Sequence, residues 1–157
     1  MKDINEIVII DDNKIDCFIN QKICSLAFEK TSIKTFNSSV LALDYFKETS
    51  KVHKLFSINN VVLILLDINM PIMNGFEFLK ELAKTNLLRR KQVEVYFLSS
   101  SNLETDIYEA LSIKFCSGYI IKPLTKAKII EFKTLKNKNE YFLLNNIIPI
   151  KTNTKIM

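Results

Sequence analysis

Four times along this chain a short run of apolar residues stops abruptly on a polar one. Glu6-Ile7-Val8-Ile9-Ile10 ends at Asp11 and Asp12, and Val61-Val62-Leu63-Ile64-Leu65-Leu66 ends at Asp67. Val93-Glu94-Val95-Tyr96-Phe97-Leu98 ends at Ser99, and Tyr119-Ile120-Ile121 ends at Lys122. Runs of this length, rich in β-branched residues, predict strands covered on both faces. Ser32-Ile33-Lys34-Thr35-Phe36 predicts one more strand, between the first two. Between the strands the apolar period changes to that of a helix. Ile15, Ile19, Ile23 and Leu26, with Phe18 beside them, predict a helix over 14–28. Val40, Leu41, Leu43, Tyr45 and Phe46 predict a second, capped by Asn37 or Ser38. Further helices are predicted over 76–86 and 102–114, and from Thr125 until the pattern fades among Lys136, Asn137, Lys138 and Asn139. Residues 49–60 read as a loop with some extra helix, and 70–75 as a loop with turn chemistry.

Five strands alternating with five helices predict an α/β domain, a doubly wound five-stranded parallel sheet with helices on both faces. The domain is expected over 1–136, with 137–157 a basic and apolar C-terminal tail. Within that tail lie Tyr141-Phe142-Leu143-Leu144 and Ile147-Ile148-Pro149-Ile150. They read either as a patch packed on the domain's own surface or as a segment that binds a partner.

Composition changes this picture little. A chain of 157 residues, 48% hydrophobic and 25% charged, is one globular domain of ordinary size. No apolar run approaches the ~20 residues of a membrane span. The N-terminal Met-Lys-Asp-Ile-Asn-Glu lacks the apolar core of a signal peptide, so a cytoplasmic location without membrane contact is expected. Cys17, Cys24 and Cys116 are odd in number and form no Cys-x-x-Cys pair, which predicts free thiols. His53 is the only histidine and is expected on an exposed loop, so a zinc constellation is excluded. The net charge of +5 arises from Lys126 onward, where seven lysines face Glu131 and Glu140. That basic tail is read as solvating, and no direct nucleic-acid partner is expected.

The chemistry collects at the strand ends. In an open parallel sheet, ligands bind beyond the carboxyl ends of the strands. Asp11, Asp12, Asp67, Ser99 and Lys122 are all expected on that one edge. Carboxylates ~4 Å apart repel by about 4 kcal/mol per pair at an effective dielectric near 20. Lys122 offsets part of that repulsion, and a hard divalent cation such as Mg2+, which favours oxygen ligands and shares phosphate oxygens, would offset more. Such a site suits phosphoryl transfer, with a carboxylate as the nucleophile.

Four stretches in this order resemble the receiver domains of two-component response regulators, including the chemotaxis response regulator. They are Ile9-Ile10-Asp11-Asp12, Leu66-Asp67-Ile68-Asn69-Met70-Pro71-Ile72-Met73-Asn74-Gly75, Phe97-Leu98-Ser99-Ser100 and Gly118-Tyr119-Ile120-Ile121-Lys122-Pro123. The resemblance covers about residues 5–135 and implies the flavodoxin-like strand order 2-1-3-4-5. It implies that Asp67 is the phosphoacceptor, fed from a sensor histidine kinase or phosphotransfer protein and read by a downstream protein target. Asp12, Asp67 and the backbone carbonyl of Asn69 would hold Mg2+, with Asp11 acting through water. Ser99 and Lys122 would contact the phosphoryl group, and Ser99 with Tyr119 would form the switch. The Lys122-Pro123 peptide would be cis, as is typical of the family. Ser99 stands where threonine is commoner, and it lacks the methyl group.

The function expected is that of a single-domain response regulator, a signalling module whose only catalysis is its own phosphorylation and dephosphorylation. One alternative is a degenerate receiver that binds partners without phosphorylation; the intact acidic pair, Asp67 and Lys122 argue against it. A phosphohydrolase of the haloacid dehalogenase type needs a second aspartate where Asn69 stands, as general acid and base. A nucleotide- or flavin-binding protein needs a glycine-rich loop after the first strand. The only glycines are Gly75 and Gly118.

Overall fold

A computed structural model of the protein describes residues 4–48, 61–85, 87–88, 93–138 and 147–149. His53, the 49–60 loop and most of the tail lie outside the described residues. The elements alternate as the apolar pattern requires: β1 (Ile4–Ile10), α1 (Lys14–Ala27), β2 (Ser32–Phe36), α2 (Ser39–Lys47), β3 (Val61–Asp67), α3 (Gly75–Lys84), β4 (Val93–Ser99), α4 (Glu104–Ser112), β5 (Cys116–Ile121), α5 (Lys126–Lys138) and β6 (Ile147–Pro149). The sheet order is β2-β1-β3-β4-β5-β6. The first five strands pair in parallel, in the expected order.

Side chains alternate across a strand, so each central strand feeds two cores. Val8, Ile10, Ile64, Leu66, Phe97 and Tyr119 face one side, where they pack with Phe46 of α2 and Phe78, Leu79 and Leu82 of α3. Ile7, Ile9, Leu63, Leu65, Leu98 and Ile120 face the other, with Cys17 and Cys24 of α1 and Ile129 and Phe132 of α5. β3 is buried along its whole length, Asp67 included. Each fully buried Leu or Ile there contributes ~1.5–3 kcal/mol.

Two features differ from the sequence expectation. The sheet has a sixth strand: β6 pairs antiparallel with β5, setting Ile147, Ile148 and Pro149 opposite Ile120, Tyr119 and Gly118. Part of the apolar tail thus joins the domain's own sheet. The second difference is the buried face of α1. Ile15, Phe18, Ile19 and Leu26 are exposed, while Cys17, Asn20 and Cys24 face the core. The rotation of α1 is set at its start. Asn13 caps it by accepting from the backbone N–H groups of Ile15 and Asp16, and the Cys17 thiol donates to the Asp11 carbonyl at 3.1 Å. Cysteine packs as a small buried hydrophobe, which suits the close approach of α1 to β1.

All three cysteines are buried and free. Burial pushes the Cys17 thiol up to about 11, helped by the Asp11 charge, and pushes Cys24 and Cys116 up to about 12. The thiolate is the reactive form. At pH 8 the folded protein is expected to react with a disulfide reagent far more slowly than the urea-unfolded chain, at all three positions. Fast stoichiometric labelling under native conditions would contradict that burial.

The loop after β3 carries a strained residue. Ile72 has φ 71° and is 92% exposed. A β-branched residue in this region costs about 1–2 kcal/mol, and nothing buried there requires the side chain. Ile72→Gly is expected to raise the urea midpoint by a stabilisation near ~1 kcal/mol, part of the relief being lost to the greater freedom of glycine in the unfolded chain. An unchanged or lower midpoint would mean that the side chain contributes more than its exposure indicates.

Candidate functional site

The carboxyl ends of β1, β3, β4 and β5 converge on one edge. Asp11 leaves β1 with its backbone N–H still donating to the Phe36 carbonyl of β2 at 3.0 Å. Its side chain accepts from the Asn13 N–H at 3.0 Å, which fixes the carboxylate. Asp67 is the last residue of β3 and pairs in register with Leu98. Lys122 follows β5 and donates its backbone N–H to the Ser99 carbonyl at 2.8 Å. The Lys122-Pro123 peptide is cis.

The Lys122 ammonium is the centre of charge. It lies 2.7 Å from Asp67 Oδ1, 2.8 Å from Asp11 Oδ2 and 3.3 Å from Asp16 Oδ2. Burial alone would lower its pKa, but hydrogen bonds and charge from Asp11 and Asp67 outweigh that and raise it. Asp67 is raised from the ordinary carboxylate value, chiefly by burial. Its bond to Lys122 pulls the other way, and the charges of Asp11 and Asp12 add to the rise. Acceptor oxygens of Asp11, Asp12 and Asp67 all lie within 4.8 Å of one another. Asp11 and Asp67 are buried, whereas Asp12 and Asn69 are exposed at the rim.

Ser99 and Tyr119 are linked through one backbone segment. The Ser99 hydroxyl, buried, accepts from the Ser101 N–H at 3.1 Å. The Tyr119 hydroxyl donates to the Ser101 carbonyl at 2.9 Å, and its ring is fully buried. Tyr119 therefore points inward. Burial raises its pKa, with the Ser99 side chain opposing.

The profile of the response regulator receiver domain matches residues 7–133. The chain belongs to this family. Over 129 residues this receiver is 30% identical to the two-component response regulator ARR17 of Arabidopsis thaliana, spanning 81% of each chain. The crystal structure of a two-component response regulator from Cytophaga hutchinsonii superposes with TM-score 0.71 at 27% identity, covering 87% of this receiver and 98% of that chain. Chemotaxis response regulator CheY4 of Vibrio cholerae, at 20% identity and TM-score 0.63, shares the fold. No described helix of the receiver is long and apolar enough to cross a membrane.

The three clustered carboxylates fit the hard, oxygen-ligated cation that the family implies. A net excess of negative charge remains after Lys122 is counted, and the ligand atoms clustered among the described residues are carboxylate oxygens. The sequence reading missed two residues here. Asp16 adds a carboxylate to Lys122 from the first turn of α1; its signal was its place three residues after the Asn13 cap. At Gly75 the sequence predicts only a turn. A Cβ built on this glycine would overlap the Asp67 carbonyl oxygen and come within 3.0 Å of Ile68 Cα, so its lack of a side chain is what lets α3 start against the end of β3.

Proposed function

We propose that this receiver accepts a phosphoryl group on Asp67 from a phosphohistidine of a sensor kinase or phosphotransfer protein, and signals through altered contacts with a downstream protein. The observation that carries the reading is the contact of Lys122 with Asp67, 2.7 Å long and set inside the acidic cluster at a buried strand end. An Asp67 carboxylate oxygen attacks phosphorus, and the P–N bond to the imidazole breaks with its electron pair left on nitrogen. Lys122 holds Asp67 ionised against the burial that raises its pKa, and its ammonium then pairs with the oxygens of the transferred group. Asp12, Asp67 and the Asn69 carbonyl would hold Mg2+ directly and Asp11 through water. When bound, the ion would neutralise charge on the carboxylates and on the phosphoryl group. Ser99 supplies a hydroxyl to the phosphoryl oxygens.

Phosphorylation adds about −1.5 to −2 charges beside Lys122 and Ser99. Ser99 is tied to Ser101, and Ser101 to Tyr119, so a shift of Ser99 bears on the inward position of Tyr119. The surface formed by α4, β5 and α5 is then the face whose partner affinity changes.

The test is intact mass after incubation with Mg2+ and acetyl phosphate. One phosphoryl adduct is expected, lost with a chelator and lost in Asp67→Asn. An adduct that persists in Asp67→Asn defeats the assignment of the acceptor. No adduct on the wild type would favour the phosphorylation-independent adaptor, and steady turnover of small phosphate esters would favour the hydrolase.

A further inference from the structure

Lys122 reaches the acidic cluster on a flexible stem, so the place of its ammonium depends on how firmly its backbone is held. On one side its N–H donates to the Ser99 carbonyl at 2.8 Å. The flanking peptides are held by a second lysine. The Lys128 ammonium, on the first turns of α5, donates to the Ile121 carbonyl at 2.6 Å and to the Pro123 carbonyl at 2.9 Å. These carbonyls bracket Lys122.

Lys128 is itself rooted. Its backbone N–H donates to Thr125 Oγ1 at 3.2 Å, and the buried side chains of Leu124 and Ile129 fix the start of α5 in the core beneath. A lysine directed at carbonyls and not at carboxylates gains no ion pair from them. Burial in fact lowers its pKa, with only Glu131 opposing. The two charge-assisted hydrogen bonds nonetheless hold the half-buried ammonium in one place, against the backbone on either side of Lys122.

We propose that Lys128 is a positioning residue for phosphoryl transfer: it ties the two carbonyls around Lys122 into one rigid turn and so sets where the Lys122 ammonium stands relative to Asp67. The inference rests on the reading of Asp67 as phosphoacceptor. It assigns Lys128 no contact with the phosphoryl group or the metal. Its effect passes through the backbone of 121–123, and a displacement there moves the Lys122 ammonium that bridges Asp11 and Asp67.

The experiment uses the full chain, with Lys128→Met and Lys128→Arg as variants and beryllofluoride with Mg2+ as the phosphoryl mimic. Lys128→Met is expected to bind beryllofluoride about 10-fold more weakly, in keeping with the rate and affinity costs of small misplacements. Lys128→Arg, which keeps a cationic donor for the carbonyls, recovers most of that loss. Mg2+ affinity measured without fluoride stays close to that of the wild type, because Lys122 is not a metal ligand. Amide hydrogen exchange gives a second readout. In Lys128→Met the Lys122 amide loses protection while the amides of β3 keep theirs. A Lys128→Met protein that matches the wild type in beryllofluoride affinity and in Lys122 exchange overturns the inference alone. Parallel loss of Mg2+ affinity, beryllofluoride affinity and β3 protection overturns it too, because it reduces Lys128 to a structural contact. A wild type that takes no beryllofluoride overturns the phosphoacceptor reading, and this inference with it.

Discussion

Lys122→Met is expected to destabilise the metal-free protein by about 3 kcal/mol at pH 7, because removing one partner of a buried ion pair leaves the other charge uncompensated. Two carboxylates lose their counter-ion together: Asp11, almost fully buried, and Asp67, nearly so. The Asp16 contact adds little, since its side chain is 37% exposed and screened by solvent. The loss depends on pH with a definite sign. Asp67 already has a raised pKa from burial, and the variant removes the group that opposes the rise. The folded state then holds a proton that the unfolded state releases, so the variant's stability falls as pH rises from ~4 through the raised folded value. Lys122 acts in the opposite range. Its own raised pKa contributes stability that is complete below pH 10.5 and is lost above it, and the variant lacks that alkaline loss. Urea unfolding at pH 5 and pH 7, with chelator and with excess Mg2+, separates these effects. On the proposed function, most of the lost stability is expected to return with Mg2+, which would supply the missing charge. Equal stability of variant and wild type in chelator at pH 7 would mean that the carboxylates are not held by Lys122.

Gly75→Ala is expected to cost at least ~2 kcal/mol and, on the proposed function, to abolish the phosphoryl adduct, although Gly75 carries no side chain. Alanine is the better helix former, and in an exposed helix interior the exchange would stabilise. Here the added Cβ overlaps the carbonyl oxygen of Asp67 and meets the Asp67 carbonyl carbon at 3.2 Å and Ile68 Cα at 3.0 Å. All three are backbone atoms. They cannot swing aside like a side chain, so either α3 retreats or Asp67 moves. The Gly75 N–H bond to the Ile68 carbonyl, 2.8 Å long, ties the two segments and shares the strain. A Gly75→Ala protein with wild-type stability and a full adduct would show that the loop yields freely.

The sequence was legible where polarity changes sharply. A carboxylate or an amine at the end of a run such as Val61–Leu66 is conspicuous, and the parallel fold brings such ends to one edge. Asp11, Asp12, Asp67 and Lys122 are therefore expected on one edge, where the structure brings them together, and the sheet order follows from the family they resemble. The buried face of α1 was not legible. Ile15, Ile19 and Phe18 outrank Cys17, Asn20 and Cys24 in hydropathy, yet the Asn13 cap and the Cys17 thiol rotate the helix the other way. β6 has three residues, too few for any period to show, and it ends on a proline. Gly75 and Lys128 meet backbone atoms of residues only a few positions earlier, and a pattern of side-chain types carries no signal for a contact with backbone.

The pairing of β6 with β5 closes the border of the sheet beside Tyr119. An open sheet invites a neighbouring chain to add a strand. Here that place beside β5 is taken by the protein's own backbone, and Pro149, facing Gly118, has no N–H to offer a newcomer. Strand addition at that border is blocked from within. On the proposed function, a partner would then meet the receiver through the side chains of α4 and α5, where charge and shape, and not a backbone ladder shared with β5, would decide which protein binds.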